Sequence, residues 1–585
     1  MAIVPMQKVA VVTHKAHEPE VLNLLHAEGV MEISELPDAN QINSAELNYH
    51  IAELDHVIAL LGHHASEATL RKTEENTTTD AIMKAGQSAE IRRIIDRVHA
   101  LEEQAVLYRE QLVDLDHGRM PHGSLLANRS ADEGAYFTTP TVKTNLSSFG
   151  GAKGATEASP EQISKKSAEV QASQKALDRE WKELSESLPL LCHARQFAEW
   201  MNEIEAARRV MKKTKSTVTI FGWISKKFIK SLEKKLNKVS SATALICVEP
   251  DPHEQAPILI QNPAWLKPFE SVTLLYGLPQ TGELDPTPLL APFFILFFAL
   301  CLTDAAYGLV LAVAMAGFIW KKKLKLNDAP LWWLLMIAGI VTFFVSIPFG
   351  GWFGMSPDQA PSFMTETRAD GQLWFKGQIW NLGATPGITF LQNLSIVLGL
   401  IHLCFGMFLG GVSKGLRGQW MEGIWVDWTQ LLLIGSAIAY PFAPEEWKQV
   451  AFYAIIASLV IVIWGKGYGS VWYMRPVYGF LGLLNLAMGM MSNVLSYLRL
   501  LALGLVTGAL ALAVNLVAQQ IGGFLPPFLG IPLSIVIYVA GHTVNIALNV
   551  LGAFIHSGRL QFVEFFSQFF EGGGRPFNPF KRRHS

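Results

Sequence analysis

The chain has 585 residues, of which 50% are hydrophobic and only 17% charged, a balance too apolar for an ordinary soluble protein. A formal net charge of −2 gives no sign of nucleic-acid binding. The four cysteines, Cys192, Cys247, Cys301 and Cys404, have no metal-ligand spacing and read as free, buried thiols.

Composition changes abruptly along the chain, from mixed and charged up to about Asp285 to long apolar runs beyond it. The first residues are too few and too weakly apolar for a signal peptide, so the first half is expected in the cytoplasm. Lys8–Thr13 reads as a buried strand, Glu18–Glu28 as an amphipathic helix stopped by Gly29, and Val30–Leu36 as a second strand. In the helical region that follows, Ile91, Ile94, Val98, Leu101, Ala105, Tyr108, Leu112 and Leu115 recur at steps of three and four. That is a coiled-coil seam of about four heptads. It resumes beyond Ile163 in Val170, Leu177, Trp181, Leu184 and Leu188, so an antiparallel helical arm is expected. Thr217–Trp223, the basic helix Lys226–Lys238 and Ala244–Val248 repeat the opening order of strand, helix and strand. A cytoplasmic domain over 1–285 therefore comprises a lobe (1–45), an arm (46–116 and 161–210), a loop-rich insertion (117–160) and a second lobe (211–285). No phosphate-binding glycine loop, hydrolase elbow or His/Glu metal motif is visible in it. Neither a catalytic residue nor a cofactor or metal site is assigned.

Residues 286–585 form the expected membrane domain. The run Leu289–Trp320 is long for one span and carries Thr303-Asp304 at its middle, which suggests two short spans meeting at Asp304. Leu331–Phe349, Ile388–Gly411, Thr429–Tyr440, Val450–Trp464 and two much longer helices bring the count to about eight. Basic residues follow every second span: Lys321, Lys322, Lys323 and Lys325, then Lys414 and Arg417, then Lys466 and Arg475, then Arg575, Lys581, Arg582 and Arg583. By the positive-inside rule both termini are then cytoplasmic. The expected fold is a membrane α-helical bundle of about eight transmembrane helices, the last two long and tilted. Its N-terminal cytoplasmic domain has two α/β lobes joined by an antiparallel helical coiled-coil arm.

The two long helices carry the chemistry. Leu481–Gln519 is apolar almost throughout and interrupted by one charge, Arg499; Ser534–Phe570 carries Arg559. Each is about twice the length a simple span needs. A guanidinium inside such a segment costs roughly 2.5 kcal/mol or more and cannot shed its proton. Asn485, Gly489, Ser492, Ser496 and Arg499 share one helix face, and His542, Asn545, Asn549, Gly552, His556 and Arg559 share another. Two polar stripes that each reach an arginine suggest a wet path; interhelical hydrogen bonding is the plainer use of Ser and Asn. Neither helix places an Asp or Glu near its arginine, with Glu564 and Glu571 falling toward the cytoplasmic end, so the partner carboxylate is expected on another chain. Asp304 reads either as a cap between two short helices or as part of the path. His402, alone among apolar neighbours, reads as a packing histidine.

The runs Ser496-Tyr497-Leu498-Arg499-Leu500 and Leu551-Gly552-Ala553-Phe554-Ile555-His556-Ser557-Gly558-Arg559, with Gly572-Gly573-Gly574-Arg575-Pro576-Phe577, closely resemble subunit a (subunit I in prokaryotes) of V-type and A-type rotary ATPases. Phe221-Gly222-Trp223-Ile224, Lys267-Pro268-Phe269-Glu270 and Asp304-Ala305-Ala306-Tyr307-Gly308 are lesser echoes. The resemblance implies a stator subunit whose Arg499 and Arg559 face a rotor ring of proteolipid (c/K) subunits, each with a buried carboxylate. It also implies two offset half-channels for H⁺ or Na⁺, with Asp304, Ser492 and His556 at positions associated with the path; Asn485, Ser496, Asn545 and Asn549, on the two polar stripes, read as lining it. Some members have glutamates where this chain has Asn485 and Asn549; amides line a water file but do not titrate. Peripheral stalk subunits (E/G type) would dock on the cytoplasmic lobes, and ATP would be handled by the soluble V1/A1 sector, with no ATP site in this chain. The implied location is a prokaryotic plasma membrane. A secondary transporter with a regulatory domain would instead show internal repeats, and a membrane scaffold would leave the arginines unexplained.

Overall fold

A computed structural model describes residues 3–34, 45–66, 69, 79–86, 88–116, 160–251, 254–326, 328–368 and 371–581. Nearly all of the expected insertion 117–160, and Arg582 and Arg583, lie outside the described residues. The protein is mostly helical and divides into two compact units.

The first unit comprises Val9–Gly222, Lys230–Ile246 and Pro579–Ser585. Its strands are β1 (Met6–His14), β2 (Met31–Ile33), β3 (Lys212–Lys213), β4 (Thr217–Ser225) and β5 (Ala244–Cys247), and its small helices are α1 (Glu18–Glu28) and α7 (Ile229–Val239). The strands expected in two separate lobes are hydrogen-bonded neighbours in one sheet, ordered β2-β4-β1-β5, with β3 antiparallel on β4. The repeated strand–helix–strand order hid this, because strand pairing is non-local and leaves no spacing signal. Val9, Val11, Val218 and Ile220 from the strands are buried, as are Val21, Leu22 and Leu25 of α1 and Leu232 and Leu236 of α7.

The remaining helices of this unit are α2 (Ala45–His64), α3 (Thr79–Gly86), α4 (Glu90–Asp116), α5 (Pro160–Ser185) and α6 (Leu188–Val210). They share one core in which Leu54, Val57 and Leu61 meet Ile94, Ile95, Val98 and Leu101, together with Leu177, Trp181, Leu188 and Leu191. Most of the predicted seam residues lie in or against that core. Each buried Leu, Ile or Val contributes about 1.5–3 kcal/mol. Arg97 of α4 pairs with Glu180 of α5 at 2.5 Å, and Arg195 of α6 with Asp55 of α2. Burial pushes the Cys192 thiol up, which keeps it unreactive.

The second unit comprises Met1–Lys8, Trp223–Ile229 and Cys247–Asn578. Its principal helices are α8 (Lys267–Tyr276), α9 (Thr287–Leu302), α10 (Ala305–Lys322), α11 (Pro330–Ser346), α12 (Thr385–Leu416), α13 (Thr429–Phe442), α14 (Lys448–Lys466), α15 (Arg475–Ser496), α16 (Leu498–Phe524) and α17 (Pro527–Arg559). Among the described residues six helical stretches are long and apolar enough to cross a membrane: Ala305–Lys322, Pro330–Phe349, Thr385–Leu416, Glu445–Lys466, Arg475–Phe524 and Pro527–Gln568. The apolar α9 is shorter, with 16 residues, and α13 has 14. The long run Leu289–Trp320 breaks where its sequence suggests: Thr303 takes a left-handed φ of 37° and closes α9, and Asp304 caps α10.

The core of this unit gathers Phe297, Phe298 and Leu302 of α9, Tyr307 of α10, Leu391 and Leu403 of α12, Leu500 and Ala511 of α16, and Ala553 of α17. Inside lipid such packing rests on close contact more than on water exclusion. α10 and α11 approach through facing glycines: a Cβ on Gly308 would lie 2.6 Å from the Phe343 nitrogen, and one on Gly339 2.7 Å from the Ala312 nitrogen.

Candidate functional site

The first long helix is interrupted at one residue, Tyr497, which turns tightly between α15 and α16. The Tyr497 N–H donates to the Val494 carbonyl at 3.1 Å, three residues back, and Leu500 N–H donates to Tyr497 at 3.0 Å. Its ring is fully buried, stacked edge-on to Phe297 with centroids 5.8 Å apart. The hydroxyl lies 2.8 Å from His402 Nδ1 on α12. Gly399, one turn earlier on α12, leaves room for it, since a Cβ there would sit 2.6 Å from Tyr497 Cδ2. His402 is thus a packing histidine with one polar partner, also stacked on Phe565 at 4.2 Å. This anchor fixes the helix break two residues before Arg499.

Arg499 is half-buried. Its Nη2 donates to Ser496 Oγ at 3.3 Å, while Nη1 makes no hydrogen bond. Ser496 in turn donates to Glu564 Oε1 at 2.5 Å. Glu564 is 2% exposed, and its Oε2 is unbonded. The expectation that no acid lies near either arginine is therefore corrected: Glu564 stands one serine away from Arg499. The reason is local. After Arg559 the chain runs through a π-helix, Leu560–Phe565, whose wider turn carries residues off the α-helical periodicity used to place them. Even so, among the described residues neither Arg499 nor Arg559 has a carboxylate within 4.0 Å. Glu571 pairs instead with Arg417 at 3.1 Å. Arg559, the last residue of α17, is exposed, and half-buried His556 lies within Coulombic range of both arginines.

The two stripes face different surroundings. On α15, Asn485 and Ser492 are exposed, while Gly489 and Ser496 are half-buried. On α17 the order is reversed: Asn545 and Asn549 are buried, and the stripe emerges at His556 and Arg559.

The buried part of the α17 stripe belongs to a continuous hydrogen-bonded chain. Thr507 Oγ1 donates to Asn549 Oδ1 at 2.9 Å, and Asn549 Nδ2 to Asn545 Oδ1 at 2.6 Å. Asn545 Nδ2 donates to the Tyr307 hydroxyl at 2.7 Å, which lies 2.7 Å from His542 Nδ1. His542 Nε2 is 2.9 Å from Asn515 Oδ1, and Asn515 Nδ2 donates to the Phe353 carbonyl at 2.7 Å. With the proton of His542 on Nε2, every donor in this series points the same way. The chain ends at a cavity of about 580 Å³ lined by Phe353, Gln359, Asn515, Gln519, Tyr538 and His542. Sequence reasoning missed Tyr307, which joins the chain from α10 across 235 residues; only its place in the Asp304–Gly308 motif hinted at it. Asp304 itself caps α10, accepting from the Tyr307 N–H at 3.0 Å, and its buried Oδ2 is unbonded.

Residues 484–582, which include both arginines, match the V-type ATPase 116 kDa subunit family. The chain is 34% identical over 448 residues to A-type ATP synthase subunit I of Methanocaldococcus jannaschii, covering 70% of this chain and 63% of that protein. It is 30% identical over 431 residues to the same subunit of Methanothermobacter thermautotrophicus, covering 72% and 59%. With V-type ATP synthase subunit I of Chlamydia pneumoniae the identity is 26% over 423 residues, covering 62% and 60%. The chain thus matches about six tenths of the length of these relatives.

Proposed function

We propose, from the premise that this chain belongs to the subunit I family of V-type and A-type rotary ATPases, that it is the membrane stator along which ions pass to and from a rotor ring. Arg499 and Arg559 present fixed positive charge to ring carboxylates that arrive one after another. A carboxylate beside a guanidinium loses its ion readily, and the pair separates again because it is only a few kcal/mol deep at an effective dielectric of about 20.

The buried chain Thr507–Asn549–Asn545–Tyr307–His542–Asn515, opening on the 580 Å³ cavity, is read as one half-channel. The stripe through Asn485, Ser492 and Ser496 is read as the other. The charges between them keep cations from running straight through. Asn545 and Asn549 orient the file without titrating, so the titratable groups in it are Tyr307 and His542. Asp304 acts beside the file as the cap that holds Tyr307. Glu564, reached through Ser496, holds Arg499 in register rather than neutralising it. His556 sets the field between the two arginines.

The wider reading follows the family. Residues 1–285 are cytoplasmic, a single α/β sheet with a helical arm, and dock peripheral stalk subunits of the E/G type; residues 286–585 cross a prokaryotic plasma membrane about eight times with both termini inside. ATP chemistry belongs to a soluble V1/A1 sector, and the translocated ion is H⁺ or Na⁺. The observation that carries the proposal is a half-buried Arg499 with no carboxylate within 4.0 Å among the described residues. Mild detergent extraction tests it. A ring of small proteolipids, each with one carboxylate amid an apolar helix, should co-purify with the chain in stoichiometric excess. Purification of the chain without such a protein, from membranes that make both, refutes the stator reading.

A further inference from the structure

The helical part of the first unit holds a cluster that ion translocation does not use. His56 on α2, and His99 and Glu102 on α4, bring one ligand atom each within 4.8 Å of one another. His56 Nε2 lies 3.1 Å from Glu102 Oε2, and His99 Nδ1 lies 3.8 Å from the same oxygen. The two imidazoles are nearly parallel, 16° apart, with centroids separated by 5.9 Å. We propose that these three side chains form a binding site for one transition-metal dication, Zn²⁺ foremost, that ties α2 to α4.

Three features argue for a site rather than a chance meeting. First, the spacing suits the ion. Tetrahedral zinc with bonds of about 2.0–2.1 Å sets its ligand atoms about 3.4 Å apart, and the two measured distances fall on either side of that. Second, the backbone beneath each ligand is fixed. Val57, Val98 and Leu101, the chain neighbours of His56, His99 and Glu102, are fully buried in the shared core, so binding a metal costs little ordering. His99 and Glu102, three residues apart, share one face of α4. Third, the side chains remain reachable, at 49%, 41% and 37% exposed for His56, His99 and Glu102, which leaves a fourth position for water. The nearby cation Arg92 is already taken by Glu53 and Asp96.

The donor set selects the metal. Two imidazole nitrogens and one carboxylate suit zinc, nickel, copper or cobalt, whereas calcium and magnesium prefer an all-oxygen shell. Sequence spacing gave no warning, because His56 and Glu102 are 46 residues apart. Held across two helices, the ion would cross-link α2 and α4 and stiffen the helix pair.

The test uses the full chain in detergent, titrated with Zn²⁺ against a chromophoric chelator. One equivalent should bind per chain with a Kd in the micromolar range or below. His56→Gln and His99→Gln preserve size and a hydrogen-bonding group beside Glu102 but remove the metal ligand; each should weaken binding at least about tenfold. His63→Gln, an exposed histidine on the same helix, should leave it unchanged, and far-UV circular dichroism should match for all. Equal affinity in wild type and the His56→Gln/His99→Gln double variant overturns the proposal. So does wild-type affinity weaker than about 100 μM.

Discussion

Arg499→Ala is expected to abolish coupled ion transport while leaving assembly intact. At about 4 Å and an effective dielectric near 20, attraction between a guanidinium and an arriving carboxylate is about 4 kcal/mol. Losing it should slow ATP-driven ion uptake into reconstituted vesicles by about three orders of magnitude. Assembly should survive because the side chain makes only one long hydrogen bond, 3.3 Å to Ser496, while the local fold is held by Tyr497, His402 and Phe297. Arg499→Lys keeps the charge but loses the planar fork, and should fall between the two. Unchanged pumping in Arg499→Ala would remove this residue from the path. Solute uptake that survives the change would favour a secondary transporter.

Tyr307→Phe should give the second largest effect. The hydroxyl is the one link between Asn545 and His542, at 2.7 Å from each, and no other described group spans them. Its loss leaves two polar groups short of a partner inside the bundle, at about 1–3 kcal/mol. The same amount in the barrier corresponds to a fall of roughly five- to hundredfold in transport. Thermal denaturation of the complex should shift down by only a few degrees. The split between modest stability loss and large rate loss separates a conducting hydroxyl from a packing one. A transport rate equal to wild type would mean that the chain is structural glue.

The elements legible in the sequence were those whose signal is local. Hydrophobic steps of three and four marked the helices of the first unit, and Thr303-Asp304 marked the break in a run too long for one span. The arginines stood out because charge is costly in an apolar segment. What escaped depends on distance along the chain or on irregular helix. Tyr307 meets His542 across 235 residues, and the strands of two expected lobes share one sheet. Glu564 escapes the stripe because the π turn after Arg559 breaks the α-helical period. His402 packs among aromatic rings as its apolar neighbours suggest, yet its tie to Tyr497, which sets the helix break before Arg499, leaves no mark in any spacing.

Site-specific photo-crosslinking tests the central claim most directly. Leu495 and Ile555 flank the two arginines and are 55% and 53% exposed on the outward faces of α15 and α17. A photoreactive phenylalanine at either position should capture a small membrane protein that carries a single acidic residue in an apolar helix. The same group at exposed Phe344 of α11 should not. Capture of that partner at Leu495 and Ile555 alone is the predicted result; capture of lipid only at all three positions, or of further copies of this chain, contradicts the account.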